Sequence, residues 1–504
     1  MKRLLLVFAV FVCTVAAPAQ NNSRPQFGEQ PKLVVGIVVD QMRWDYLSRY
    51  FDQFGKGGFR RLISEGYSYD NCLINYLPTV TSIGHTSVYT GTTPALHGIC
   101  GNNFYLDNKK LYCVTDTTVQ PVGSNNKKAG QMSPVNLLAT TIGDQLRLHT
   151  DFRSKVIGVS YKDRAAILPA GHSANAAYWL DKKNGCFITS TYYMTALPQY
   201  VKDLNKQMAK NKELKKVGED VGLYPLCGHL ITDMAIAALR GERLGRGTVP
   251  DMLCVSYSQT DVIGHEYSTR GTHTDECYLE LDKDIERLLS TLDAEVGRGN
   301  YLLFLTADHG AAHNWKFMQD HKLHGGPYSS DTLKAGLEKR VAEKFGNSRP
   351  VVIDVCDYRF YLDRKGISDQ GLDLQAVKDV CIDYLHTGKN VNFAIDMEHA
   401  ATAGAPDILR ERILRGWHPR RSGDIIVIPE PGYYEYGSWS SPIGTTHGEW
   451  NAYDAHIPML FYGWHVPHGS SPRETHITDF APTICAMLHI QQPNACIGEP
   501  LVFE

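Results

Sequence analysis

The stretch Pro78-Thr79-Val80-Thr81-Ser82-Ile83-Gly84-His85-Thr86-Ser87 is rich in hydroxyls and carries the first candidate chemistry in the chain. Where such a turn follows a strand and opens a helix, backbone N–H groups face an incoming anion. The helix dipole then favours negative charge on an oxygen. Taken alone, the stretch is an ordinary cap. What changes the reading is a set of acids and imidazoles placed near the ends of apolar runs. Asp40 ends the run 33–39, and Asp308-His309 follow residues 304–307. Asp261 comes after residues 256–260 with His265 four positions on, and His447 lies in a Gly-Thr-Thr-His-Gly loop ahead of Met459. In parallel α/β sheets, ligands bind beyond the carboxyl ends of the strands. Three carboxylates and three imidazoles at one such edge suit zinc, whereas a hard oxygen-seeking ion would draw fewer histidines. Singly, an aspartate at a strand end is a turn or cap residue and a lone histidine is structural. Their joint placement reads as a two-metal site around Thr81.

The elements that must position these groups follow from hydrophobic patterning. Runs at 33–39, 156–159, 252–255, 301–305, 425–428 and 459–462 are continuously apolar, as strands buried on both faces are. Between them, Leu281, Ile285, Leu288, Leu289, Leu292 and Val296 recur at helical spacing before Gly297. Ser133-Pro134 reads as an N-cap and first-turn proline opening a helix through Leu138, Ile142 and Leu146, and Thr478-Asp479 as the start of another through Met487. Alternating strands and helices predict an α/β sandwich with a central, mostly parallel sheet flanked by helices. Residues 103–130, 170–250 and 315–422 fit that alternation poorly and are read as insertions in one catalytic domain, 20–504.

Residues 1–19 read as a secretory signal peptide. Lys2 and Arg3 are followed by a mostly apolar run to Val15, then Ala17-Pro18-Ala19 ahead of a cut before Gln20. The expected location is the periplasm or the extracellular medium. No other run is long and apolar enough to span a membrane, so no span is expected after cleavage. The balance of 51 basic against 54 acidic residues offers no surplus for nucleic acid or an anionic membrane. Of 12 cysteines, eleven remain after cleavage, with no metal-binding spacing among them. Cys485 with Cys496 and Cys100 with Cys113 are candidate disulfides, which export permits without requiring. The sequence leaves the oligomeric state open, a monomer being allowed.

Taken together, several motifs resemble the alkaline phosphatase superfamily. They are Val39-Asp40-Gln41-Met42-Arg43, residues 78–91, His97 to Asn102, Lys162-Asp163-Arg164, Thr260-Asp261 with Gly264-His265, Ala307 to Gly310, and Gly444 to His447. Within that superfamily the likeness is to the PafA-type, phosphate-insensitive bacterial enzymes, and it runs from about residue 31 to residue 500. The resemblance implies an alkaline-phosphatase-like fold and the hydrolysis of small phosphate monoesters through a phosphothreonine on Thr81. It implies two zinc ions per chain, one held by Asp40, Asp308 and His309 with Thr81, the other by Asp261, His265 and His447. Asn102, Lys162 and Arg164 are implied to contact the phosphoryl oxygens. Physical chemistry agrees. A threonine alcohol needs a metal to lower its pKa, and two zincs about 4 Å apart stabilise the entering and leaving oxygens of an in-line displacement.

Two other readings stand beside this one. Nucleotide pyrophosphatase/phosphodiesterases of the same superfamily are similar in the zinc ligands and Asn102, but are not expected to carry the Lys162–Arg164 pair. A catalytically silent binding protein on the same fold is the third. Sulfatase relatives need a Cys- or Ser-x-Pro-x-Arg motif, which Thr81-Ser82-Ile83-Gly84-His85 does not supply. The segment between Tyr192 and Asp251 is shorter than the PafA-type pattern, which bears on leaving-group preference. No ligand set for a third, magnesium, site is evident.

Overall fold

Five strands, Tyr301–Thr306, Leu33–Val39, Asp251–Tyr257, Val156–Ser160 and Ala176–Asp181, lie side by side and parallel at the centre of an 11-stranded sheet. This computed structural model describes residues 29–346, 349–438 and 440–503. The fold concerns the unit Pro31–Glu504, and the signal peptide read at 1–19 lies outside the described residues. Every residue of Leu33–Val39, Asp251–Tyr257 and Tyr301–Thr306 is buried, which is why these segments read as unbroken apolar runs. The register pairs Val38 with Thr306, Val39 with Tyr257 and Ser160 with Ser256. The carboxyl ends of four strands therefore come out level, and the residues just past them meet.

The sheet is parallel only in its middle. Met459–Gly463 pairs antiparallel with Tyr301–Thr306, and Cys186–Ser190 antiparallel with Ala176–Asp181. Part of the segment read as the insertion 170–250 thus belongs to the main sheet. Ile425–Pro429, apolar enough to read as a core strand, instead joins Val352–Cys356, Arg359–Leu362 and Val391–Asp396 in a separate four-stranded sheet. Its alternate residues serve two cores. Ile425 and Val427 pack with Leu337 and Phe360, while Ile426 and Ile428 pack with Leu409 and Ile413. A strand covered on both faces looks the same in sequence whichever sheet holds it. Residues 103–112 form a hairpin, Asn103–Leu106 with Lys109–Tyr112, turning through Asp107 and Asn108 at φ 49° and 60°.

Three local expectations met different outcomes. The helix read back from Gly297 spans Thr272–Glu295. Ser133 opens no helix: its Oγ donates to Asp116 Oδ2 at 2.6 Å, and the helix begins at Ile142. There Thr141 and Asp144 form a reciprocal capping box, a stronger start signal than a Ser-Pro pair eight residues upstream. The cysteines described, Cys72 to Cys496, are all free thiols, so neither candidate disulfide forms. Cys100 and Cys113 sit in one small apolar cluster, where a thiol packs as a small hydrophobe.

Thr81–Thr90 is a helix buried along its whole length, preceded by Val80 in extended conformation and ended by Gly91 at φ 66°. It lies so close to the strand end at Asp308 that a Cβ at Gly84 would fall on the Asp308 carbonyl and 2.5 Å from its Cβ. Gly84→Ala is expected to lower unfolding stability by about 1–3 kcal/mol through overpacking against backbone. A chemical-denaturation midpoint unchanged from the parent protein would contradict this packing.

Candidate active site

The six acids and imidazoles singled out above come together at the level strand ends. Asp40, Asp308 and His309 are fully buried, and Asp261 nearly so. Asp261 Oδ1 lies 3.1 Å from His265 Nε2 and 3.6 Å from His447 Nε2. His309 Nε2 lies 3.5 Å from Asp40 Oδ1 and 3.6 Å from Asp308 Oδ2. The rings of His309 and His447 stack with centroids 3.5 Å apart. Ligand atoms of Asp261, His265 and His447 all lie within 4.8 Å of one another, as do those of Asp40, Asp261 and His309. The first grouping coincides with one predicted ligand set. The second mixes the two sets, because Asp261 leans across toward Asp40.

Thr81 is the first residue of its helix, and neighbours along the chain tie it to this cluster. The Thr79 carbonyl accepts from His447 Nδ1 at 2.7 Å, and Gly84 rests on Asp308. Ser82 N–H donates to Asn102 Oδ1 at 3.1 Å, so the Asn102 amide oxygen is engaged at the helix start. Arg164 Nη1 donates to Tyr112 OH at 3.0 Å, and its Nε is buried without a partner among the described residues. Lys162 stands inside the acid cluster, its ammonium donating to Asp40 Oδ2 at 2.7 Å and Asp261 Oδ2 at 2.5 Å.

The donor chemistry fits a bound cation. Each histidine offers its other nitrogen to a backbone carbonyl: His265 Nδ1 to Thr445 at 2.9 Å, His309 Nδ1 to Gly310 at 2.9 Å, and His447 Nδ1 to Thr79. A carbonyl only accepts, so Nδ1 carries the proton and a neutral ring turns its Nε2 lone pair toward the carboxylates. Lone pairs then face lone pairs. Among the described residues, Asp40 Oδ1 and His309 Nε2 are buried with no hydrogen-bond partner, while Asp308 Oδ2 lies 3.1 Å from His85 Nδ1. Burial, with Asp261 and Asp308 nearby, raises the Asp40 carboxyl well above the usual range, and burial pushes His447 and His309 down. One ammonium against three buried carboxylates leaves negative charge that a divalent cation would offset.

Several contributors lie inside the motifs singled out above but were assigned no role there. Gln41 donates from its backbone N–H to Asp308 Oδ1 at 3.1 Å and from Nε2 to Asp261 Oδ1 at 2.7 Å. It thereby joins the two predicted ligand sets, and does so at φ 63°, a conformation that strains an L side chain. His85 spans Thr81 O at 2.9 Å and Ser256 Oγ at 2.7 Å beneath the cluster. Asp163, between the two basic residues, accepts from Tyr112 OH at 2.5 Å and so braces the tyrosine that meets Arg164.

Known proteins match the chain along nearly its whole length. A family model described as type I phosphodiesterase / nucleotide pyrophosphatase matches residues 34–450. A protein of Myroides odoratus named calcium-transporting ATPase is 44% identical, with 94% of each chain covered. Alkaline phosphatase PafA of Elizabethkingia meningoseptica is 40% identical over 98% of each chain. A crystal structure of wild-type alkaline phosphatase PafA superposes with a TM-score of 0.91, at 39% identity, covering 95% of this chain and 100% of the other.

The Gln41 bridge yields a test. Gln41→Gly relieves the positive φ but removes the donor to Asp261. The metal-free protein should therefore melt no lower than the parent, while divalent-metal affinity falls about 10- to 100-fold. Chelator competition followed by metal analysis reads the second quantity, and an unchanged affinity would refute the bridging role.

Proposed function

The chain belongs to the type I phosphodiesterase / nucleotide pyrophosphatase family, and we propose that within it the protein is an exported, two-zinc alkaline phosphatase acting through a threonine ester. Its likeness to alkaline phosphatase PafA in sequence and fold makes it a hydrolase of phosphate monoesters. The observation that carries this reading over diester cleavage is that Lys162, bonded to Asp40 and Asp261, and Arg164 line one cavity. A monoester presents a dianionic phosphoryl group and a diester a monoanion. Two fixed side-chain cations beyond the metals match the former. The name of the Myroides relative couples ion transport to ATP, and the cluster here speaks only to the phosphoryl side of such chemistry.

Asp40, Asp308 and His309, with the Thr81 hydroxyl, are the proposed ligands of one zinc, and Asp261, His265 and His447 of the other. Zinc bound there would lower the pKa of an alcohol or water and stabilise oxygens that gain charge. Thr81 Oγ1, its proton released to solvent, attacks phosphorus as the bond to the ester oxygen breaks, and the leaving oxygen takes a proton from solvent and departs as the alcohol, with a phosphothreonine left behind. Water then attacks the same phosphorus, releasing inorganic phosphate and restoring the threonine. The Asn102 NH2 group, Lys162 and Arg164 donate to the non-bridging oxygens through both steps. To do so, the Lys162 ammonium turns from Asp40 and Asp261 toward the phosphoryl group. Export rests on residues 2–19.

Zinc-loaded protein should show a higher kcat/KM on a phosphate monoester than on a matched diester, and the reverse order would favour phosphodiesterase. Arg164→Ala should lower monoester turnover roughly 10- to 100-fold and diester turnover far less, and equal losses would remove Arg164 from its assignment. Thr81→Ala should cut kcat by about 1,000-fold or more with metal retained, while Thr81→Ser keeps much of it. Parent turnover in Thr81→Ala would move the nucleophile to Thr79. Chelation should abolish activity and added zinc restore it. A protein inert with zinc bound would instead be a binding protein.

A further inference from the structure

The pocket holding Lys162 and Arg164 is far larger than one phosphoryl group needs. Those two residues line a cavity of about 870 Å3 together with Lys128, Lys182 and Lys183. A second cavity of about 390 Å3 reaches back to His265 and shares Tyr161, Lys182, Glu219 and Val262 with the first. Lys182 therefore stands where the two meet, its ammonium 5.9 Å from the Tyr161 ring. No ion pair engages these three lysines among the described residues. Two of the three carboxylates in the larger cavity accept hydrogen bonds from neutral groups and keep their charge. Asp181 accepts from Ser124, Asn126 and Asn184, and Asp163 from Tyr112 and the Arg164 backbone N–H. Glu219, exposed, is the third. The lining as a whole sets five basic side chains, Lys128, Lys162, Arg164, Lys182 and Lys183, against these three carboxylates, a surplus of two positive charges. Because Lys162 and Arg164 share that lining, the surplus is continuous with the proposed phosphoryl site.

We propose that Lys128, Lys182 and Lys183 form a subsite for a second phosphate group carried by the leaving alcohol. The preferred substrates are then bisphosphorylated small molecules rather than simple monoesters. This rests on the monoesterase reading above. The ester bond that breaks is unchanged, and the second phosphate stays on the departing alcohol and only binds.

The test uses the zinc-loaded full-length protein and a series of alkanediol monophosphates and bisphosphates, from propane-1,3-diol to hexane-1,6-diol. A bisphosphate has two cleavable ends, so a kcat/KM ratio of about two is the statistical baseline. The parent protein should exceed it by roughly 3- to 10-fold at the best spacer length, and high salt should shrink the excess because these charges are exposed. Lys182→Ala combined with Lys183→Ala should return the ratio to about two while monophosphate turnover stays within about twofold of the parent. Lys182→Glu should push the ratio lower still. A parent ratio of about two at every length, or an excess untouched by the double substitution, would overturn the subsite. Inactivity on both ester classes would instead strike the monoesterase reading itself.

Discussion

Crowding of like charge governs this structure. Asp40, Asp261 and Asp308 are carried by three neighbouring parallel strands in level register, so their carboxylates arrive together in a space closed to water. Buried anions are costly unless paired, and one ammonium, that of Lys162, is all the chain itself sets between two of them. His309 and His447 deepen the imbalance, since burial favours their neutral rings and their carbonyl partners hold the proton on Nδ1. The fold thus assembles an arrangement that is unfavourable as protein alone and favourable around divalent cations.

The sheet was legible because its central strands are buried on both faces, and that burial writes a continuous apolar run. Asp40 and Asp308 were legible because each closely follows such a run, whereas Asp261 stands beyond one, in the first turn of the helix Gln259–Tyr267. What escaped the sequence depends on partners far away along the chain. Gln41 is 220 residues from Asp261 and 267 from Asp308, and no local pattern announces a donor at that distance. The strand Ile425–Pro429 was recognisable as a strand but not as a member of the smaller sheet, because apolar periodicity carries no address. The helix start was misplaced from Thr141 to Ser133 because Ser-Pro imitates a cap and its hydroxyl found Asp116 instead.

Around the acid cluster, the positive groups are arranged in tiers. Lys162 touches the carboxylates, Arg164 is steered by Tyr112 and Asp163, and three further lysines line the same cavity. Rigidity falls in the same order. Lys162 is held by two charge-assisted bonds and Arg164 by one hydroxyl, while the outer lysines are exposed on flexible stems. Such a gradient suits a pocket that must fix the reacting group closely and tolerate variety in what is attached to it.

The helix that bears Thr81 is closed at its far end by the tail of the chain. The Ile497 and Gly498 N–H groups both donate to the Gly91 carbonyl, at 2.9 and 3.1 Å. Further contacts to the helix come from Asn102, Ser256 and Asp308, so partners spread along the chain from Asn102 to Gly498 hold one ten-residue helix. Assembling the surroundings of Thr81 therefore requires closing very long loops, and contacts of that separation form slowly.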